Sequence, residues 1–175
     1  MFDRTLTRRR AIQLGGSSLG VLMLAACGTG TPAQQLATVV NDVSTIANAF
    51  VNALPALAAT TGKISPVAIA NVQQAVATLQ TLATQLSGVA TTTAAQPIIT
   101  QVEATVNLIV NTLAPFSVAL PPPWGEILPA VAVLLPVVEL AVGLVVPASA
   151  PLRRAAVPGL TPDEARVILH GIAGK

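Results

Sequence analysis

One thiol, one imidazole and seven carboxylates are what this 175-residue chain offers to covalent, acid–base or metal chemistry. The thiol is Cys27, the imidazole is His170, and the carboxylates are Asp3, Asp42, Glu103, Glu126, Glu139, Asp163 and Glu164. A zinc site or a nucleophile–base–acid relay needs several such groups to converge, and a single histidine with a single cysteine falls short of both. Asp163 and His170 are seven apart and share a helix face. Two turns separate them by about 10 Å, so they form no site without a second chain. Glu103, Glu126 and Glu139 show no pairing in the sequence that would mark a general-acid and general-base couple. The glycines follow no phosphate-cradling spacing. The expectation is a noncatalytic protein with no catalytic residue, no metal site and no cofactor. Cys27 alone has a covalent role open to it, and as the only cysteine it cannot form a disulfide within the chain.

The composition narrows the partners. The chain is 53% hydrophobic but only 9% charged and 2% aromatic, whereas globular chains carry roughly 25% charged residues. It is too apolar for a disordered chain. Its surface must be wetted by Thr, Gln, Asn and Ser, or be covered by lipid or protein. The formal charge of +2 is unevenly distributed. Arg4, Arg8, Arg9 and Arg10 against Asp3 give residues 1–26 a net +3, and the rest of the chain is −1. Without that start no basic patch remains to neutralise phosphates, so nucleic acid is not an expected partner.

The start reads as an address. Arg8-Arg9-Arg10 is followed by Ala11 to Ala26, an apolar stretch softened by Gln13, Ser17 and Ser18. It is shorter than the roughly 20 residues of a spanning helix and fits an export signal. Thr7-Arg8-Arg9-Arg10-Ala11-Ile12-Gln13 resembles the twin-arginine motif of bacterial Tat signals, with Arg8 and Arg9 as the recognised pair. Ala11 stands where that family has an aromatic residue, so Tat and Sec export both stay open. Leu24-Ala25-Ala26-Cys27 resembles the lipobox of bacterial prolipoproteins. That resemblance implies cleavage before Cys27, diacylglycerol on its sulfur and a fatty acyl group on the new amino terminus. Small residues admit the backbone to a peptidase, and the thiol takes up lipid. Two or three acyl chains make a stable anchor. The alternative is a plain buried thiol in an ordinary N-terminal membrane anchor.

Beyond a Gly/Thr/Pro-rich tether (27–33), three segments share one period. Leu36, Val39, Val43, Ile46, Phe50, Leu54 and Leu57 form the first stripe, with Asp42, Thr45, Asn48 and Asn52 on other faces and Pro55 expected to kink or stop the helix. A turn with Gly62 leads to Ser65-Pro66 and a second stripe, Ile69, Val72, Val76, Leu79, Ala83 and Leu86. Gly88 and Thr91–Thr93 break it. Ile99, Val102, Val106, Ile109, Leu113 and Phe116 form the third. Narrow seams and short connections predict an antiparallel up–down bundle, in an all-α fold.

The fourth segment, 127–146, is hydrophobic all round, with one charge, Glu139, and two prolines, Pro129 and Pro136. As one helix it would be about 30 Å long, enough to span a bilayer. Glu139 and the prolines oppose spanning, while Arg153 and Arg154 just after it agree with the positive-inside rule. A buried helix or a surface hairpin is the other reading. Pro121-Pro122-Pro123-Trp124 reads as a stiff polyproline connector ending in an interfacial indole, or as a docking ligand for an aromatic groove. After a Pro/Ala-rich linker, Thr161-Pro162-Asp163-Glu164 spells a capping box for a short C-terminal helix, with Gly171 as its stop. That helix is the candidate partner-facing element.

The expected organisation is a cleaved signal over 1–26, a lipidated tether over 27–33, a helical bundle over 34–148, and a linker with a short capped helix over 149–175. The leading functional expectation is a lipid-anchored cell-envelope protein with a structural or protein-interaction role, facing the periplasm or the exterior. Its partners would be membrane lipid through Cys27 and an envelope protein or a second copy. Gly28 and Thr29 lack the aspartate that retains some lipoproteins at an inner membrane, which favours the outer membrane in a Gram-negative host. Two alternatives are a carrier or sensor of an apolar ligand, and a membrane-active lysis component of the kind seen among small proline-containing phage spanins.

Overall fold

The computed structural model describes residues 31–60, 62–143 and 159–175. Arg8, Arg9 and the Leu24-Ala25-Ala26-Cys27 motif lie outside them, as do 144–146 of the apolar segment and most of the linker. Residues 32–175 form one compact unit. The described residues make five α-helices and no strand: α1 (Pro32–Ala58), α2 (Pro66–Ser87), α3 (Thr92–Leu113), α4 (Trp124–Ala141) and α5 (Pro162–Ala173), with a 3₁₀ helix, Ala114–Ala119, extending α3. The protein is an all-α bundle with a short C-terminal helix.

Helix boundaries follow local chemistry. Ser65 caps α2 by accepting from Ala68 N at 3.1 Å, and Pro66 occupies its first position, where a missing N–H costs nothing. Gly62, at φ 102, supplies the left-handed turn before it. Thr91 caps α3 through Ala94 N at 3.3 Å. The antiparallel hairpins α1–α2 and α2–α3 then pack in chain order, with α1 also against α4 and α5. All six seam positions predicted for α2 are buried, as are Ile99, Val102, Val106, Ile109 and Leu113 of α3. Phe116 and Leu54 are only half-buried.

Helix α1 departs from the expected single stripe. It buries Asp42, Thr45, Ala47, Ala49 and Ala53 as well as its seam apart from Leu54, because it packs on α2, α4 and α5. Pro55 does not stop it; the helix runs on to Ala58. A helical proline leaves one carbonyl, four residues back, without its donor. For Pro97, Pro129 and Pro136 that carbonyl belongs to Thr93, Gly125 and Ala132, all exposed residues.

Helix α4 is one helix through both prolines rather than a hairpin. Its all-round apolar sequence is used one-sidedly: Trp124, Ile127, Ala130, Val131, Leu134, Leu135, Val138 and Glu139 are buried, and Ala132, Pro136 and Leu140 are exposed. The proline run is a turn, not an extended connector, and Trp124 is core, not interface. Its side chain is fully buried, with its ring centroid 5.8 Å from that of Phe50. Helix α5 passes Gly171 and ends at Ala173, with Gly174 as its cap.

Two stretches, Thr92–Ala119 and Trp124–Ala141, are long and apolar enough to cross a membrane by length and composition. This is compatible with membrane association. The outer faces carry few charges, and their threonines turn inward. Thr78, Thr81 and Thr84 on α2 and Thr100, Thr105 and Thr112 on α3 each donate to the carbonyl four residues back.

Candidate functional site

The polar groups that converge do so around α5. Its N-terminus carries the full capping box: Thr161 N donates to Glu164 Oε2 at 2.8 Å, and Glu164 N donates to Thr161 Oγ1 at 3.3 Å. The bond from Thr161 N to Glu164 Oε2, and after it the bond that Thr161 Oγ1 donates to the same oxygen at 2.8 Å, hold the Glu164 carboxyl below its ordinary range. Ala165, Leu169 and Ile172, one turn apart along the helix, form the buried stripe that docks α5 on α1 and α4.

A polar clasp closes each end of that stripe. Arg166 donates from Nε to Asp42 Oδ1 at 3.1 Å and from Nη2 to Asp42 Oδ2 at 3.0 Å. Its third branch, Nη1, reaches Asp163 Oδ1 at 3.1 Å. Asp42 is 3% exposed, so this is a forked ion pair at the helix interface. The hydrogen bond to Asp42 is the chief cause that raises the Arg166 pKa, and partial burial opposes it. At the far end, Asn52 Nδ2 donates to the carbonyls of Ile172 and Ala173, each at 3.1 Å, and satisfies the open end of α5. Gln96 does the same for α4, donating to Val142 O at 3.0 Å.

This arrangement positions a helix. Asp163 is engaged by Arg166, and His170 is exposed near the last turn of α5. Among the described residues no three His, Cys, Asp or Glu side chains are grouped to hold a metal ion. Cys27, for which a covalent role is expected from the sequence, lies outside those residues. Asp42, Asn52, Gln96 and Arg166 were not singled out by the sequence. The signal available was thin: one arginine in an otherwise apolar-striped terminal helix, and one aspartate in a helix with no other charge.

No family model matches the sequence, and no curated protein or solved structure matches it.

Proposed function

We propose that the chain is a lipid-anchored protein of the bacterial cell envelope with a noncatalytic structural or protein-interaction role. The observation that carries this reading is Leu24-Ala25-Ala26-Cys27, placed after a basic run and a short apolar stretch. Gly28 to Thr31 alone separate Cys27 from the start of α1. Diacylglycerol and fatty acyl groups on Cys27 would then hold the helical bundle close to a bilayer, on the periplasmic or outer side, after export by a twin-arginine-like signal. The low charge of the body suits a protein that works beside lipid or another protein. The interaction role is supported by the capped, doubly clasped α5, which holds its exposed face in a fixed place on the bundle.

The spanning alternative is less well supported by the packing. Helix α4 has Leu134, Leu135 and Val138 committed to the bundle, so inserting it alone would strip the core. Intact-mass measurement of the protein purified from membranes tests the proposal. The expected species begins at Cys27 and carries the mass of a diacylglycerol and a further acyl chain. A species that retains residues 1–26, or begins at Cys27 without lipid, overturns it.

A further inference from the structure

Helix α5 needs Ala165, Leu169 and Ile172 for docking, yet it carries more aliphatic surface than that. Val167 is 72% exposed, and Leu160 and Ile168 are half-buried. These side chains border two adjoining hollows. One, of about 350 Å³, lies between the N-terminal part of α4 and α5, lined by Gly125, Glu126, Pro129, Leu160, Glu164 and Ile168. The other, of about 440 Å³, continues over the outer side of α5 past Asp163 and Val167. They share Leu160, Glu164 and Ile168, so they form one open groove with an aliphatic floor.

The rim is acidic. Glu126, Asp163 and Glu164 are exposed along it, and the Thr161 hydrogen bonds keep Glu164 ionised. Arg166, the guanidinium of the same helix, is turned onto Asp42 and Asp163. We infer that this groove is a docking surface for a segment of a partner protein that presents an arginine or lysine beside an aliphatic side chain. The cation would pair with Glu126 or Glu164 while the aliphatic group packs on Pro129, Leu160 and Ile168. The carboxylates disfavour an anionic bilayer or a nucleic acid at this place, and the open shape suits a peptide better than an enclosed small molecule. The inference rests on the interaction role proposed above, and not on the anchor.

The test is a titration of the isotopically labelled full chain, followed by nuclear magnetic resonance. The probe is a synthetic pentapeptide of alternating leucine and arginine, with a leucine–glutamate pentapeptide as control. The expected result is saturable shifts at Gly125 and Gly159 with the arginine peptide alone. Glu126→Lys and Val167→Ser, both at exposed positions, should each weaken binding about threefold to tenfold while circular dichroism is unchanged. No shift at these glycines up to about 1 mM peptide overturns the inference, as does equal binding of the control. Tighter binding in an Arg153→Ala/Arg154→Ala variant would make the chain's own arginines the occupant and also overturn it. So would self-association that Glu126→Lys abolishes, which would point to a second copy. None of these outcomes bears on whether Cys27 is acylated, which the intact mass reads separately.

Discussion

The guanidinium of Arg166 grips the carboxylate of Asp42 across 124 positions of sequence, with Nη2 at 3.0 Å from Oδ2 and Nε at 3.1 Å from Oδ1. The carboxylate is nearly sealed from solvent, with 4% of the side chain exposed, and the guanidinium is 28% exposed. Removing one partner therefore leaves a charge in a poor environment. Arg166→Leu should lower unfolding stability by about 1–3 kcal/mol, below the 3–5 of a fully buried pair because water still reaches the guanidinium. The Asp42→Leu/Arg166→Leu double variant should lose less than the two single losses combined. Urea unfolding of all four proteins measures the coupling.

Asn52 acts at the other end of α5. Asn52→Ala removes the bonds to the Ile172 and Ala173 carbonyls, of which Ile172 O keeps a long bond from Lys175 N, and should cost about 0.5–1.5 kcal/mol. The loss should be local. Amide exchange should accelerate in the last turn of α5, while the α2 and α3 seams keep their protection.

The capping box makes a signed pH prediction. The Glu164 carboxyl is lowered in the folded state, so its contribution is fully present above the ordinary value of 4.5 and is lost as pH falls through the lower folded value. Arg166 is raised, so its contribution is intact at every working pH and would be lost only on alkaline titration. The thermal midpoint of the wild type should therefore fall relative to Glu164→Gln as pH is taken below 4.5, and the two should differ by a constant amount from pH 6 to 8.

Trp124 is the only tryptophan and is fully buried against Phe50, with no hydrogen-bond partner for its Nε1 among the described residues. Its emission should be blue-shifted and resistant to iodide quenching until the protein unfolds. An orphaned N–H costs about 1–3 kcal/mol, so Trp124→Phe recovers part of what it loses in packing. Trp124→Ala should cost about 3–5 kcal/mol, and Trp124→Phe distinctly less, by denaturant unfolding.

Much of the bundle is written in its periodicity. The stripe from Ile69 to Leu86 has a spacing that only a core-facing helix uses, and each of its members is buried. Periodicity is a weaker guide where a helix packs on more than one side. Asp42, Thr45 and the alanines of α1 lie off its aliphatic stripe, yet they are buried in a helix that packs on α2, α4 and α5. In α4 the reverse holds: an all-round apolar sequence cannot say which stripe is inside, and Trp124 is assigned by its contact with Phe50. Gly171 and Pro55 show that a single helix-breaking residue yields when tertiary packing holds the flanking turns. The clasp of Asp42 and Arg166 joins α1 to α5 across 124 positions, and no local pattern links such distant residues. Leu24-Ala25-Ala26-Cys27 is the opposite case, a local motif whose proposed reading as a lipobox does not depend on the fold.

The anchor is the central claim, and metabolic labelling tests it most directly. Cells expressing the full chain are fed radiolabelled palmitate, and the wild type is compared with Cys27→Ala. The account predicts label in the wild type and none in the variant. Absence of label in the wild type, or undiminished label in Cys27→Ala, would contradict it.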